Sequence, residues 1–259
     1  MRHAFQKNLL ATVVLSSLLV ACGGGGGDGD DDMPSNPTAE GAYVGTLSGA
    51  NDLNAFSAVI TDTGEVWAFY GAKQASGLFA ISGFLQGSGN SSDGNYTSTD
   101  LRDFGASPAM PATATARYDA RAKTIDGKFN FDSFAVSFKG DGNTAPYKYD
   151  TPATLASVAG NWSLNALTGE SITLSVAPNG SVTGVSSLGC TMTGTLTPRP
   201  SGKNVFNASL RFGPAPCALP DQSASGIALA YPLANGIQQF MFAGFDASRQ
   251  HGTAAIGMR

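Results

Sequence analysis

From Gly41 onward the chain is cut by Gly, Asn, Asp and Ser into short apolar or alternating runs about 10 to 15 residues apart, a spacing that favours strands over helices of ordinary length. A run over 41–47 places Tyr43, Gly45 and Leu47 on one face, as period-two geometry requires. Runs over 56–60 and 65–70 flank Thr61-Asp62-Thr63-Gly64, a natural hairpin turn. Further strands are predicted over 78–85, interrupted by Gly83, and over 96–104, 112–118, 124–131 and 133–138. Eight strands in series predict a small antiparallel barrel or sandwich. Composition agrees, since only 13% of residues are charged and 33 are glycine, which fits turn-rich β structure better than helix.

Residues 151–159 break the pattern and read as one short helix or 3₁₀ turn, with Thr151 able to cap and Pro152 suited to the first helical turn. The strand pattern then restarts. Gly160-Asn161-Trp162 answers Gly41-Ala42-Tyr43, and the run over 172–182 answers the hairpin around Gly64. Runs over 205–212 and 227–231 align with 96–104 and 112–118, and 238–245 and 253–258 close the second unit. The expectation is an all-β chain of two small antiparallel β-barrel or sandwich domains, 40–150 and 151–259. The alternative is one continuous β domain with a helical insertion. Trp67, Phe69, Tyr70, Phe79, Phe84, Phe129, Phe131, Phe134 and Phe138 fall mostly on alternate positions and are assigned to the core of the first domain rather than to a carbohydrate platform.

The N-terminus follows different rules. Arg2 and Lys7 form a positive region, residues 9–21 are apolar, and small residues precede Cys22, the layout of a signal peptide over 1–21. Thirteen helical residues span only about 20 Å against a hydrocarbon core of roughly 30 Å, too short for a permanent span. Leu19-Val20-Ala21-Cys22 resembles the lipobox of bacterial lipoproteins. That resemblance implies a diacylglycerol thioether on Cys22 and further acylation of its amine, an anchor with enough acyl chains to be stable. Gly23 stands where an aspartate tends to retain such proteins at the inner membrane, so the implied destination is the outer membrane. Residues 22–39 otherwise form a Gly and Asp linker expected to be disordered. Asp28, Asp30 and Asp32 alternate as calcium-loop ligands do, but Met33 and Ala39 stand where the turn glycine and bidentate glutamate belong.

If Cys22 carries lipid, Cys190 and Cys217 remain as an even pair in an oxidising compartment, and a disulfide between them is expected. Gly-x-Trp after a short helical turn, followed by strands in series, resembles the start of calycin-type barrels such as lipocalins and some periplasmic protease inhibitors. The resemblance implies a barrel and carries no ligand with it.

Reactive groups are scarce. Once His3 leaves with the signal, His251 is the one histidine, in a polar turn, and no G-x-S-x-G elbow is present. Gly184-Val185-Ser186-Ser187-Leu188-Gly189 reads as a hairpin turn. Zinc lacks convergent ligands, and no phosphate-binding glycine loop occurs, so neither metal nor cofactor is expected. Of the carboxylates, Asp100, Arg102 and Asp103 form the best cluster, with Asp100 and Arg102 on one face and Asp103 on the other, read as a surface ion pair; Glu40, Glu65 and Glu170 each fall beside a turn or strand start. Removing Arg2 and Lys7 leaves 13 basic residues against 19 acidic ones, a formal charge of −6 with no basic patch, which argues against nucleic acid. The expected protein is a non-catalytic, lipid-anchored outer-membrane lipoprotein that binds a partner or presents a surface. The alternative is a periplasmic small-ligand or protease-inhibitor barrel.

Overall fold

A computed structural model describes residues 38–50, 52–73, 79–233 and 236–259; the predicted signal peptide, Cys22 and most of the Gly and Asp linker fall outside them. The first sheet holds β1 (Gly41–Ser48), β2 (Ala55–Ile60), β3 (Glu65–Lys73), β4 (Phe79–Ser88), β5 (Asn90–Ser92), β6 (Asn95–Asp103), β7 (Met110–Asp119), β8 (Thr124–Asn130) and β9 (Ala135–Asp141). Neighbours in sequence pair antiparallel, β1 pairs with β9, and Leu85↔Asp103 and Gln86↔Arg102 join β4 to β6. This closes a ring of eight, with the short β5 attached to β6. Then α1 (Leu155–Val158) leads into β10 (Gly160–Ala166), β11 (Ser171–Val176), β12 (Ser181–Ser186), β13 (Thr191–Pro198), β14 (Phe206–Phe212), β15 (Ser223–Pro232), β16 (Gln238–Phe245) and β17 (Gly252–Met258). These form a second closed eight-strand barrel, sealed by β10 and β17. The choice between barrel and sandwich thus falls to barrels.

The two rings repeat each other in detail. Tyr43 donates its hydroxyl to the carbonyl of Ala39 at 3.0 Å, and Trp162 donates its indole N–H to Val158 at 2.7 Å, each reaching back four residues to plug its barrel where the first strand begins. The turns before β3 and β12 share one hydrogen-bond pattern. Gly64 N–H meets Thr61 O at 2.9 Å and Gly180 N–H meets Ala177 O at 2.9 Å, with φ of 78° and 86°, where a side chain would be strained. Arg259 lies 4.1 Å from the Trp162 ring centroid and donates to the carbonyls of Ala159 and Ser157, covering the plug. The helix is shorter than expected: Thr154 precedes it in extended conformation, makes no side-chain cap, and leaves Thr151 and Pro152 outside.

Strand β7, with one face to water, alternates strictly, with Ala112, Ala114, Ala116 and Tyr118 pointing in. Strands β3, β15 and β16 do not, because both of their faces are covered. Val66 and Ala68 fill the first barrel, while Trp67 and Phe69 point outward onto Ile227, Leu229, Met241 and Ile256 of the second. Phe245 crosses to stack on Trp67 at 5.7 Å and Phe104 at 5.4 Å. The aromatic assignment is corrected accordingly. Phe129 and Phe138 are core, but Trp67, Phe69, Phe79 and Phe84 belong to a shared face between barrels. Arg249, in the loop between β16 and β17, adds a polar clamp by donating to both Asp100 carboxylate oxygens at 3.0 and 3.1 Å and to Gln86 Oε1 at 3.1 Å.

Strand β1 carries the chain from one end of the first barrel, beside the 61–64 and 120–123 turns, to the other, where residues 49–50 and 52–54 and the 104–109 and 131–134 connections gather. Those two ends differ in chemistry.

Candidate functional site

Both barrels are filled by their own side chains. The second retains about 30 Å³ of cavity among Leu174, Met192, Phe240 and their neighbours, and the deep part of the first about 20 Å³. Among the described residues, the larger recess opening into a barrel is the mouth of the first, about 90 Å³ beneath Ala50, Leu53 and the 131–134 connection. Ten of its twelve lining residues are apolar, including Leu47, Phe129, Phe131 and Phe134. The other two are Tyr70 and Asp103.

Asp103 comes to face inward because β6 shifts register between Ser98 and Leu101. Tyr96 and Ser98 point in; Thr99 and Asp100 both point out; Leu101 and Asp103 then point in, as a bulge dictates. Tyr70, at the register shift of β3, donates its hydroxyl to Asp103 Oδ1 at 2.6 Å, and Gly105 N–H donates to the same oxygen at 2.9 Å. The phenol fits because Gly83 and Gly105 surround it: a Cβ on either would lie 2.2 or 1.8 Å from the Tyr70 oxygen. Burial pushes the Asp103 carboxyl above its ordinary value, against the lowering effect of the Tyr70 and Gly105 hydrogen bonds. Burial and the neighbouring carboxylate push the Tyr70 phenol up as well. No ion pair among the described residues involves Asp103.

Two clefts lie outside the barrel interiors. One, of about 330 Å³, sits at the opposite end of the first barrel, lined by Glu40, Tyr43, Lys123 and Asp150. Its acids are occupied: Lys203 meets Glu40 at 3.2 Å and Asp150 at 2.9 Å. A groove of about 620 Å³ runs between the barrels past Val44, Phe79 and Tyr231.

The other residues singled out in the sequence have structural partners. Cys190 and Cys217 form a disulfide with Cα atoms 4.6 Å apart, joining the β12–β13 hairpin to the β14–β15 connection. Asp100 and Arg102 do face outward, but the partner of Asp100 is Arg249 rather than Arg102. Glu65 pairs with Arg199 at 2.7 Å, and Glu170 accepts from Thr168 at 3.0 Å. Residues 187–189 form the tight turn expected there, while Gly184 lies within β12. His251 is half-buried, its Nδ1 2.9 Å from Ser107 Oγ across the barrel junction. Asp246 stands close by, but its hydrogen bonds go to the Ser248 hydroxyl and the backbone amides of Gln250 and His251, not to the imidazole, so a triad is not assembled. No group of three or more metal-ligating side chains converges among the described residues.

The Tyr70 and Asp103 pair escaped the sequence reading. Alternation sets Asp103 on the face opposite Asp100 and Arg102, within a cluster read as a surface ion pair; it is instead buried, and its partner depends on ring closure between β4 and β6. The available signal was Gly83 interrupting an apolar strand opposite Tyr70.

No family model and no curated protein matches the chain. Among solved structures it is similar to a "putative outer membrane protein" from Bacteroides fragilis, at 14% identity and TM-score 0.24 over 85% of this chain and 94% of that one. It is also similar to a protein of unknown function from the DUF3598 family of Nostoc punctiforme, at 14% identity and TM-score 0.25 over 88% of this chain and 100% of that one. Neither likeness carries an argument about what this chain does.

Proposed function

We propose that this chain is a lipid-anchored outer-membrane lipoprotein whose two joined barrels bind a partner without catalysing a reaction. The anchor rests on Leu19-Val20-Ala21-Cys22 and on Gly23 after it. The binding role rests on one observation above all: the barrel interiors are filled, leaving recesses of about 90, 30 and 20 Å³, so recognition falls to the mouth and outer surface. The absence of catalysis is supported by the way Glu40, Glu65, Asp100, Asp150 and Asp246 are each held in ion pairs or hydrogen bonds. A ligand-storing barrel is less well supported, because drug-sized ligands need roughly 300 Å³ or more. Protease inhibition is less well supported too: the exposed Leu188 tip is a tight turn closed by Gly189 N–H to Ser186 O at 2.9 Å rather than an extended segment.

The anchor is tested by growing a Gram-negative host with labelled palmitate. The full-length protein should take up label and fractionate with outer membranes, and Cys22→Ser should abolish labelling and release the folded body. Label retained by Cys22→Ser, or an intact mature chain beginning elsewhere, would refute the anchor.

A further inference from the structure

We propose that the mouth of the first barrel is a receptor for a primary alkylammonium group, with the charge seated at Asp103 and the methylene stem held by the phenylalanines above it. This deepens the binding role proposed above but does not depend on Cys22 being acylated, so either can fail alone.

Three observations converge. Asp103 is 7% exposed and lines an apolar recess, yet no cation among the described residues pairs with it. A buried carboxylate without a counter-charge is costly, and an entering ammonium supplies that charge where the surrounding dielectric is low. The polar floor is also a built one. Tyr70 and Gly105 both donate to Oδ1, and two glycines leave space for the phenol, so the carboxyl is held in position before any ligand arrives. Finally, the rim is aromatic. Phe131 and Phe134 stack at 4.5 Å, and Phe134 is 49% exposed. Ring faces attract cations and cover an aliphatic stem equally well.

Size selects within this class. A dry cavity of about 150 Å³ takes a benzene ring, so a recess of about 90 Å³ takes a short unbranched stem rather than a ring. Four aliphatic carbons in line ending in an ammonium describe both n-butylammonium and the side chain of a lysine on a partner protein. An anionic ligand would face Asp103 with no cation in the lining, and a neutral alcohol would bring no counter-charge to favour the carboxylate form.

The competing explanation is that Tyr70 and Asp103 only staple the β4–β6 seam, where Asp103 pairs with Leu85. A staple has no ligand preference. Titrations of the detergent-solubilised full chain, followed by calorimetry and ligand-observed NMR, would use n-butylammonium, n-butanol, n-butyrate and Nα-acetyl-lysine-N-methylamide. Butylammonium should bind about tenfold more tightly than butanol, and butyrate more weakly than either. Asp103→Asn should erase the amine preference while leaving butanol binding in place. Phe134→Ala, at an exposed position that folding tolerates, should weaken amine and alcohol together several-fold and so place both in the mouth. Capped lysine binding as well as butylammonium assigns the site to a protein lysine, and exclusion of capped lysine assigns it to a free amine. Equal affinity for butylammonium and butanol, an amine preference that survives Asp103→Asn, or indifference of all probes to Phe134→Ala would overturn the proposal.

Discussion

Asp103 and Asp246 are carboxylates whose environments push in opposite directions. For Asp103 burial dominates and the folded-state value lies above the ordinary 3.8. Its contribution to stability is therefore fully present below that ordinary value and is lost as pH rises through the folded one. The stability of the natural chain minus that of Asp103→Asn should fall as pH rises above 3.8 and level off once pH passes the raised folded-state value, measured as the difference in thermal midpoints. Asp246 is also pushed up by burial, but the Ser248 hydroxyl and the His251 and Gln250 amides prevail and lower it. That contribution is present above 3.8 and is lost as pH falls through the lowered value, so strong acid weakens the loop that carries Arg249.

Among the elements, the β12–β13 hairpin depends most on a covalent link. Cys190 follows its turn and is joined across 27 residues to Cys217 in the next connection at that end of the barrel. Loop-closure entropy for such a span is about 3 to 4 kcal/mol, and Cys190→Ser with Cys217→Ser should lose about that much in equilibrium urea unfolding. The pair was legible from cysteine parity, and the matched turns at Gly64 and Gly180 from turn chemistry. Strand β13 was not. Its inward positions run Met192, Gly194, Leu196, and Gly184 faces inward across the hairpin, so the apolar alternation is broken at the residues that should carry it. The glycine at 184 has a packing cause, since a Cβ there would approach Leu174 and Met192 at 2.9 Å. The shared face was written in β3, β15 and β16 as apolar runs without alternation, but a core strand and a strand between two cores read alike in one dimension.

At the scale of the molecule, the two rings share an apolar face that includes Trp67, Phe69, Phe84, Ile227, Leu229 and Met241. Chains 38–150 and 151–259 made separately should expose Trp67 and Phe69, or Ile227, Leu229 and Met241, and should bind a hydrophobic dye and self-associate, whereas the whole chain should do neither. Light scattering and dye fluorescence measured together check this. The directions of the strands have one more consequence. Residue 38 enters at the pole of the first ring that holds Tyr43, and β1 runs the height of the ring before the backbone reaches the pole that bears Phe134. The point where the polypeptide enters the first ring and the aromatic rim therefore lie at opposite ends of that ring, so a partner seated at Phe134 and the start of β1 are separated by the height of the barrel.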